Sequence, residues 1–330
     1  MTAIDASATL SLAGLAGNNP LGFLAGLGVL DACAAEGLDA RLSWTDDLTP
    51  TAVLTTAAGL DEVLEAVEAD RVRFVGSSVL NGPPGHPLTD AKPGKEVLRR
   101  WAEVIGDEAE PPLTGGTPEQ NLFAALVAEG ATDTTANRNA KPTHLHFSAG
   151  QQQFLRLAKD LAQAVTRSQL SEAMTGPWRP DPAAKTFGWN AGGARVYAFR
   201  ASDPAGEKRP GYPGPDWLAF RGLVALPVVA RAGRDGFRLV TTACETGWKV
   251  SSFRWPLWSS PLRTDEVRSL IGSVIPQPPN RVDPLNLGEL QARGVTRVFR
   301  SPISRTDQGG YGSFAGADVE LDTSSAGTSP

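Results

Sequence analysis

The feature that most restricts how this chain can fold is its long apolar stretch, residues 10–35, which glycine, asparagine and proline interrupt. A membrane-spanning helix needs about 20 mainly apolar residues, and a stretch broken in this way cannot supply them. Residues 7–15 alternate in polarity as a strand does, and Pro20 then opens a helix predicted over residues 20–36. Three residues of that helix are glycines (Gly22, Gly26 and Gly28). Each costs about 1 kcal/mol relative to alanine, so we expect another backbone to pack very close to this helix.

The rest of the first half predicts mostly helices with short strands between them. Helices are predicted over residues 61–70, 95–105, 118–129 and 152–174, and strands over residues 41–44, 73–75, 78–80 and 143–147. Ser148 and Gln151 have the spacing of a capping box at the start of the last of these helices.

After about residue 176, short apolar runs separated by turn residues replace the helical periodicity, a pattern typical of strands. Strands are predicted within residues 196–199, 218–229, 237–242, 250–258 and 295–300, and helices over residues 264–272 and 287–294. From Asp307 the chain is rich in Gly, Ser, Thr and Asp without an apolar period, which predicts a disordered tail. The predicted fold class is α/β (α+β), with a helix-rich region 1–175, a β-rich basic region 176–305 and a flexible acidic tail 306–330.

The charge is unevenly distributed along the chain. The net charge of −5 argues by itself against a surface coated with nucleic acid. Residues 1–180 carry 13 Lys or Arg and 22 Asp or Glu, a net −9, whereas residues 181–305 carry 18 and 10, a net +8. The last 25 residues carry four acids and no base. The basic side chains are therefore concentrated in the β-rich region.

Aromatic side chains are interleaved with these basic residues. A guanidinium supplies charge for a phosphate backbone, and an aromatic ring supplies a face for an unstacked base. The candidate nucleic-acid-binding residues are Arg195, Arg200, Lys208, Arg209, Arg234, Arg238, Lys249, Arg254 and Trp255. The alternative is structural, since the tryptophans can pack in the core and the arginines can pair with the acidic first half.

Catalytic chemistry has few residues to use. The chain has only three histidines (His86, His144 and His146) and no G-x-S-x-G motif. On the predicted strand 143–147, His144 and His146 would face the same side, so a small-molecule hydrolytic enzyme that uses the three histidines is the main alternative function. Two cysteines without CxxC spacing support neither a zinc site nor a disulfide framework. We therefore predict no catalytic residue, no metal and no small-molecule cofactor.

Two short blocks resemble a known family. Residues 19–31 (NPLGFLAGLGVLD) are similar to an N-terminal strand-turn-helix pattern of proteins encoded with type I-U (also called I-G) CRISPR systems. Residues 217–223 (WLAFRGL), followed by LPV at 226–228, are similar to a second block of the same proteins. Those proteins resemble large or accessory subunits of the RNA-guided surveillance complex.

The resemblance implies a non-catalytic subunit of a CRISPR interference complex that acts in antiviral defence. The implied partners are other effector subunits, guide RNA and target DNA, with no membrane and no small-molecule cofactor. In such complexes base pairing reads the sequence, while the protein supplies backbone charge and shape. A protein scaffold without nucleic-acid contact is a further alternative. The reducing conditions that unpaired cysteines suggest, and the lack of a signal peptide, predict a cytoplasmic protein.

Overall fold

The chain is a mixed α/β protein. Its computed structural model describes residues 8–107, 116–133, 138–148, 153–193, 210–233, 236–246, 251–274, 287–305 and 312–323. The helices are α1 (Pro20–Ala35), α2 (Leu60–Val75), α3 (Ser78–Asn81), α4 (Lys95–Asp107), α5 (Pro118–Leu126), α6 (Phe154–Ala164), α7 (Arg167–Thr175), α8 (Pro213–Gly222), α9 (Thr264–Val274) and α10 (Leu287–Ala292). The strands are β1 (Ala8–Ala16), β2 (Ala40–Trp44), β3 (Thr51–Thr56), β4 (Val127–Thr132), β5 (Ala140–Pro142), β6 (Val228–Gly233), β7 (Gly236–Thr241), β8 (Cys244–Thr246), β9 (Ser251–Trp258), β10 (Val295–Arg305), β11 (Gly312–Phe314) and β12 (Asp318–Asp322). No helix in these ranges is long and apolar enough to cross a membrane.

The strands form two sheets and two separate hairpins, all antiparallel. The first sheet has the order β1-β3-β2, and the second has the order β11-β10-β9-β8, with β12 also paired to β10. The hairpins are β4–β5 and β6–β7. A backbone bridge between Leu42 and Leu262 joins β2 to the segment that follows β9. Elements from both halves of the chain are therefore joined by hydrogen bonds.

The helix α1 lies inside the protein and packs directly against α8. A Cβ built on Gly28 would lie 1.9 Å from the carbonyl oxygen of Leu218, and one built on Gly222 would lie 1.9 Å from that of Leu24. The two backbones can approach this closely only because neither residue has a side chain. This contact is the close-packed neighbour that the glycines of α1 predict.

The hydrophobic core is continuous across the predicted boundary at residue 175. One cluster of buried side chains extends from Leu12 in β1 to Phe314 in β11. At its centre Phe23 of α1 lies against Trp44, with ring centroids 5.7 Å apart, and against Trp255, at 5.9 Å. Regions 1–175 and 176–305 differ in composition but share one core.

A buried group of charges lies beside the α1–α8 contact. Arg221 of α8 is fully buried and donates to both oxygens of Asp70 at 2.7 and 3.0 Å. It also donates to Asp31 at 2.8 Å, and its guanidinium lies 4.1 Å from the centre of the Phe74 ring. Since a buried charge without a partner is very costly, these contacts fix the relative positions of α1, α2 and α8.

Most predicted elements are confirmed. The structure contains the first strand and helix, the strand at residues 41–44, the helices predicted from residues 61, 95 and 118, strands β7, β9 and β10, and helices α9 and α10. The helix predicted over residues 118–129 ends at Leu126, and residues 127–129 belong to β4. Helices are more frequent before residue 176 and strands after it, although β1 to β5 precede that residue and α8 to α10 follow it. The predicted strand at residues 196–199 lies outside the described residues.

Several predicted elements are wrong. Residues 73–75 complete α2 rather than a strand, and residues 78–80 belong to α3. The run 218–229 contains the end of α8 and a short 3-10 turn before β6 begins at Val228. A short apolar run does not distinguish a strand from a buried helix, and here the helix is buried.

The predicted helix 152–174 is two helices. The helix is interrupted at residues 165 and 166, between the end of α6 and the start of α7. The capping box is formed by Thr166 and Gln169 at the start of α7. Ser148 is not an N-cap, because α6 begins at Phe154, and Gln151 lies outside the described residues.

The C-terminal segment contains regular structure where we expected a tail. Residues 312–314 and 318–322 form β11 and β12, and both pair with β10. Pairing with β10 satisfies the backbone groups of a segment that has few apolar residues. Residues 306–311 and 324–330 lie outside the described part of the chain.

Candidate nucleic-acid interface

The candidate site is the β6–β7 hairpin, which projects its side chains from two faces. Residues 228–233 pair in register with residues 241–236, so Val229 lies opposite Val240 and Arg231 opposite Arg238. These four side chains share one face, because successive residues of a strand point to opposite sides. We call it the arginine face. The other face carries Val228, Ala230, Ala232, Phe237, Leu239 and Thr241.

The second face packs on β4 and fixes the hairpin to the protein. Val228 and Leu239 form a small buried cluster with Ala131, separate from the main core. A Cβ built on Gly130 would lie 2.9 Å from the Cβ of Ala230, so the glycine lets the two hairpins approach closely. The other face of the β6–β7 hairpin is left exposed.

The arginine face presents two positive charges side by side. Arg231 and Arg238 are both exposed and lie directly opposite each other across the ladder. Within the described ranges neither forms an ion pair with an acidic side chain. Like charges in directly opposed positions destabilise a sheet by a few tenths of a kcal/mol to about 1 kcal/mol. An anion bound between the two side chains would remove this repulsion.

Glycines near the end of the hairpin leave room for the arginine side chains. A Cβ built on Gly233 would lie 3.1 Å from Nε of Arg238, so the Arg238 side chain passes over the bare backbone there. Gly236 has a φ of +110°, a conformation that favours glycine. The Arg238 side chain therefore lies across the described backbone at Gly233.

The base of the hairpin is held by hydrogen bonds to the turn after β5. The hydroxyl oxygen of Thr241 accepts from the backbone N–H of His144 at 2.9 Å and lies 2.8 Å from its Nδ1. Thr242 donates from both its backbone and its hydroxyl to the carbonyl oxygen of Pro227. Burial, together with the charge of Arg305, lowers the pKa of His144 to about 4. His144 is therefore neutral at pH 7 and serves as a hydrogen-bonding anchor.

Arg305 of β10 supports the same turn. Its guanidinium donates to the carbonyl oxygen of His144 at 2.9 Å and to that of His146 at 3.2 Å. The same group lies 5.5 Å from the centre of the Phe147 ring. The turn that holds the hairpin is thus fixed to the second sheet.

Of the predicted contact residues, Arg238 lies on the arginine face. Arg195, Arg200, Lys208, Arg209, Arg234 and Lys249 lie outside the described residues. In the sequence, Arg234 lies between β6, which ends at Gly233, and β7, which begins at Gly236.

Arg254 and Trp255 belong to the core, which corrects the prediction of a contact role for them. Trp255 is fully buried and donates from Nε1 to the carbonyl oxygen of Gly17 at 2.8 Å, so its ring offers no face to a base. Arg254 is 7% exposed and forms ion pairs with Glu245 and Glu320. The tryptophan packs inside, as the structural alternative predicts. The acids that neutralise Arg254 are Glu245 and Glu320, which do not belong to the acidic first half.

The three histidines have three different environments. Residues 143–147 form a turn rather than a strand, so His144 and His146 do not share a face by alternation. His144 contacts Thr241, whereas His146 is buried, hydrogen-bonded to Asp90 and stacked on Phe154 at 4.7 Å. His86 is exposed in the loop after α3.

Neither of the two clefts described beside α7 contains a histidine. The described residues also contain no group of three or more His, Cys, Asp or Glu side chains placed to hold a metal ion.

Arg231 belongs to the site but not to the predicted set. The signal for it is the sequence Gly233-Arg234-Asp235-Gly236 between two apolar runs, which is typical of a hairpin with a two-residue loop. Such a loop places residues 231 and 238 opposite each other.

Comparison with known proteins found no matching protein-family model and no significant match among curated proteins.

Proposed function

We propose that this protein is a non-catalytic subunit of a CRISPR interference complex, and that it contacts nucleic acid through the arginine face of the β6–β7 hairpin. The observation that carries the nucleic-acid part is the exposed, directly opposed pair Arg231 and Arg238. The resemblance of residues 19–31 and 217–223 to proteins encoded with type I-U CRISPR systems supports the proposal that the protein is a subunit of such a complex.

The geometry suits a phosphate backbone better than it suits a single small anion. Opposed side chains on a ladder start about 5 Å apart at Cβ, so two long arginines can reach different phosphates of one strand. Guanidinium groups bind phosphate oxygens through two parallel hydrogen bonds. The base of the hairpin is tied through Thr241 to the turn at His144, so the strands that carry the two arginines are held in place before a ligand binds.

The acidic first half supports the choice of site. Residues 1–180 carry a net charge of −9, and an excess of acidic side chains makes binding of a polyanion to that segment less favourable. Effector subunits, guide RNA and target DNA are the partners that we propose.

A charge-reversal experiment tests the contact with nucleic acid. We expect Arg231→Glu with Arg238→Glu to weaken binding to labelled DNA and RNA oligonucleotides by about tenfold or more near 0.1 M salt, because two phosphate contacts become repulsive. The matched control is Arg41→Glu with Arg156→Glu, two exposed arginines on β2 and α6. Neither forms an ion pair within the described residues, so their replacement breaks no ion pair there. Both double variants replace two arginines by two glutamates and so change the net charge by the same amount.

The control should bind nearly as well as the wild type. Equal weakening by both double variants would mean that the total charge, not the hairpin, governs binding. Binding that neither variant changes would mean that another part of the protein makes the contact. No binding with partner subunits present would favour the scaffold without nucleic-acid contact.

Co-purification tests membership of the complex. We expect the tagged protein, expressed together with the proteins encoded by its neighbouring genes, to retain CRISPR effector subunits and a guide RNA of uniform length. The RNA is identified by sequencing, and an untagged strain is the control. Recovery of the protein alone, without partner subunits or guide RNA, would contradict this part of the proposal.

The hydrolytic alternative receives little support from the geometry. His144 and His146 are held by different partners, and the low pKa of His144 suits neither a general base nor a general acid near pH 7. We therefore propose no enzymatic activity.

A further inference from the structure

We propose that Phe237 stacks on an unpaired base, so that the hairpin prefers single-stranded nucleic acid to a duplex. This inference rests on the proposed function, because it concerns the same hairpin. Phe237 is 54% exposed and follows Gly236 at the start of β7. It is one of few large hydrophobic side chains more than half exposed within the described residues.

The packing of the hairpin leaves this ring uncovered. Phe237 lies opposite Ala232, whose methyl group covers little of it. The ring approaches β4 at Gly130, where a Cβ, if present, would lie 3.9 Å from it. The buried cluster of Ala131, Val228 and Leu239 ends before this position. More than half of this residue's surface stays in water, and a partner with an apolar face that covered the ring would gain the free energy of burying it.

The neighbouring charges indicate what that partner is. Arg238 is next to Phe237 in the chain, and Arg231 lies opposite Arg238. An apolar protein surface that covered Phe237 would bring two positive charges without counter-ions to its edge. A nucleic-acid strand instead offers phosphates for the arginines and a flat apolar ring for the phenylalanine. Charge complementarity therefore favours a nucleotide as the occupant.

The arrangement of the two faces favours a single strand. Arg238 and Phe237 point to opposite faces of the β6–β7 hairpin. The phosphate backbone of the nucleic acid would therefore lie on one side of the edge of β7, and the stacked base on the other. In a duplex the bases are paired and stacked within the helix, and one must first be unstacked, which costs free energy. A single strand presents its bases without that cost, and base stacking on aromatic side chains tolerates any sequence.

The test uses Phe237→Leu, which keeps an apolar side chain against Gly130 but removes the aromatic face. We expect affinity for a single-stranded oligothymidylate to fall by about five- to a hundredfold. The salt dependence and the affinity for a duplex of equal length should stay unchanged. Phe237→Trp should retain or increase the affinity for the single strand.

The fluorescence of a base analogue distinguishes stacking from a purely structural role of Phe237, because stacking on the ring quenches it. We expect 2-aminopurine within the oligonucleotide to be quenched on binding to the wild type and to Phe237→Trp, but not to Phe237→Leu at saturation. Wild-type affinity of Phe237→Leu for the single strand, or an equal loss for the duplex, would overturn the inference. If the double arginine variant weakens binding and Phe237→Leu does not, only the stacking role fails; if neither changes binding, the proposed function fails as well.

Discussion

At the scale of single residues, two glycines determine how closely α1 and α8 approach. Gly28 faces the backbone of Leu218, and Gly222 faces that of Leu24, so the contact is reciprocal. The glycines of the first helix predict a close neighbour because they have no other use there. They do not predict which element it is, since residues 218–229 read as a strand. The identity of the neighbour depends on contacts distant in sequence.

Adding one methyl group tests this contact. We expect Gly28→Ala to lower the free energy of unfolding by roughly 1–3 kcal/mol or more, because the added Cβ overlaps the Leu218 carbonyl and the helices must separate. Urea denaturation followed by circular dichroism measures it. The matched control is Gly272→Ala in α9, where an added Cβ meets nothing within 4 Å.

The control should stabilise the protein by up to about 1 kcal/mol through helix propensity alone. Equal stability changes for the two variants would show that α1 and α8 are not in close backbone contact.

The buried Arg221 shows where residue-level prediction stops. It lies in the block WLAFRGL, in which a single arginine among apolar residues suggests an exposed position. The structure buries it because Asp31 and Asp70, distant in sequence, supply two carboxylates. The same limit applies to Arg254, whose acidic partners Glu245 and Glu320 no local pattern reveals.

At the scale of elements, the β6–β7 hairpin is attached at two places, through a small apolar cluster with β4 and through hydrogen bonds at its base. The hydrophobic contact with β4 is limited to a few residues, whereas Thr241 is tied to the turn that holds His144. The hairpin itself is predictable, because Gly-Arg-Asp-Gly between apolar runs is a turn signal. Its anchoring turn is not, because Thr-His-Leu-His-Phe alternates like a strand.

The pKa of His144 predicts how pH affects this anchor. The pKa is about 4 in the fold and about 6.5 in an unfolded chain. Between these values the unfolded chain binds a proton that the folded chain does not, so stability falls as the pH falls from about 6.5 to about 4. We expect His144→Asn, which keeps a hydrogen-bonding side chain but cannot titrate, to show a shallower loss over this range.

Urea denaturation of both proteins at pH 7.0, 5.5 and 4.5 makes the comparison. The difference should grow to roughly 1–3 kcal/mol at the lowest pH. Parallel profiles for the two proteins would contradict the neutral, anchored state of His144.

At the scale of the whole molecule, composition and spatial organisation are different properties. The separation into acidic and basic regions follows from the sequence, and the mixed α/β class is predictable from periodicity. The common core is not, since it depends on β2, α1 and β9 meeting through Phe23, Trp44 and Trp255. Strand pairing with β10 likewise orders residues 312–322, whose composition predicts a tail.

The salt dependence of nucleic-acid binding tests the central claim most directly. Each phosphate contact contributes roughly 0.7 to the slope of log affinity against log salt for a single strand and 0.9 for a duplex. We predict that Arg231→Glu with Arg238→Glu makes this slope shallower by about 1.4 for a single strand and about 1.8 for a duplex, while Arg41→Glu with Arg156→Glu leaves it unchanged. Identical slopes for the wild type and the hairpin variant would contradict the assignment of the interface to the β6–β7 hairpin.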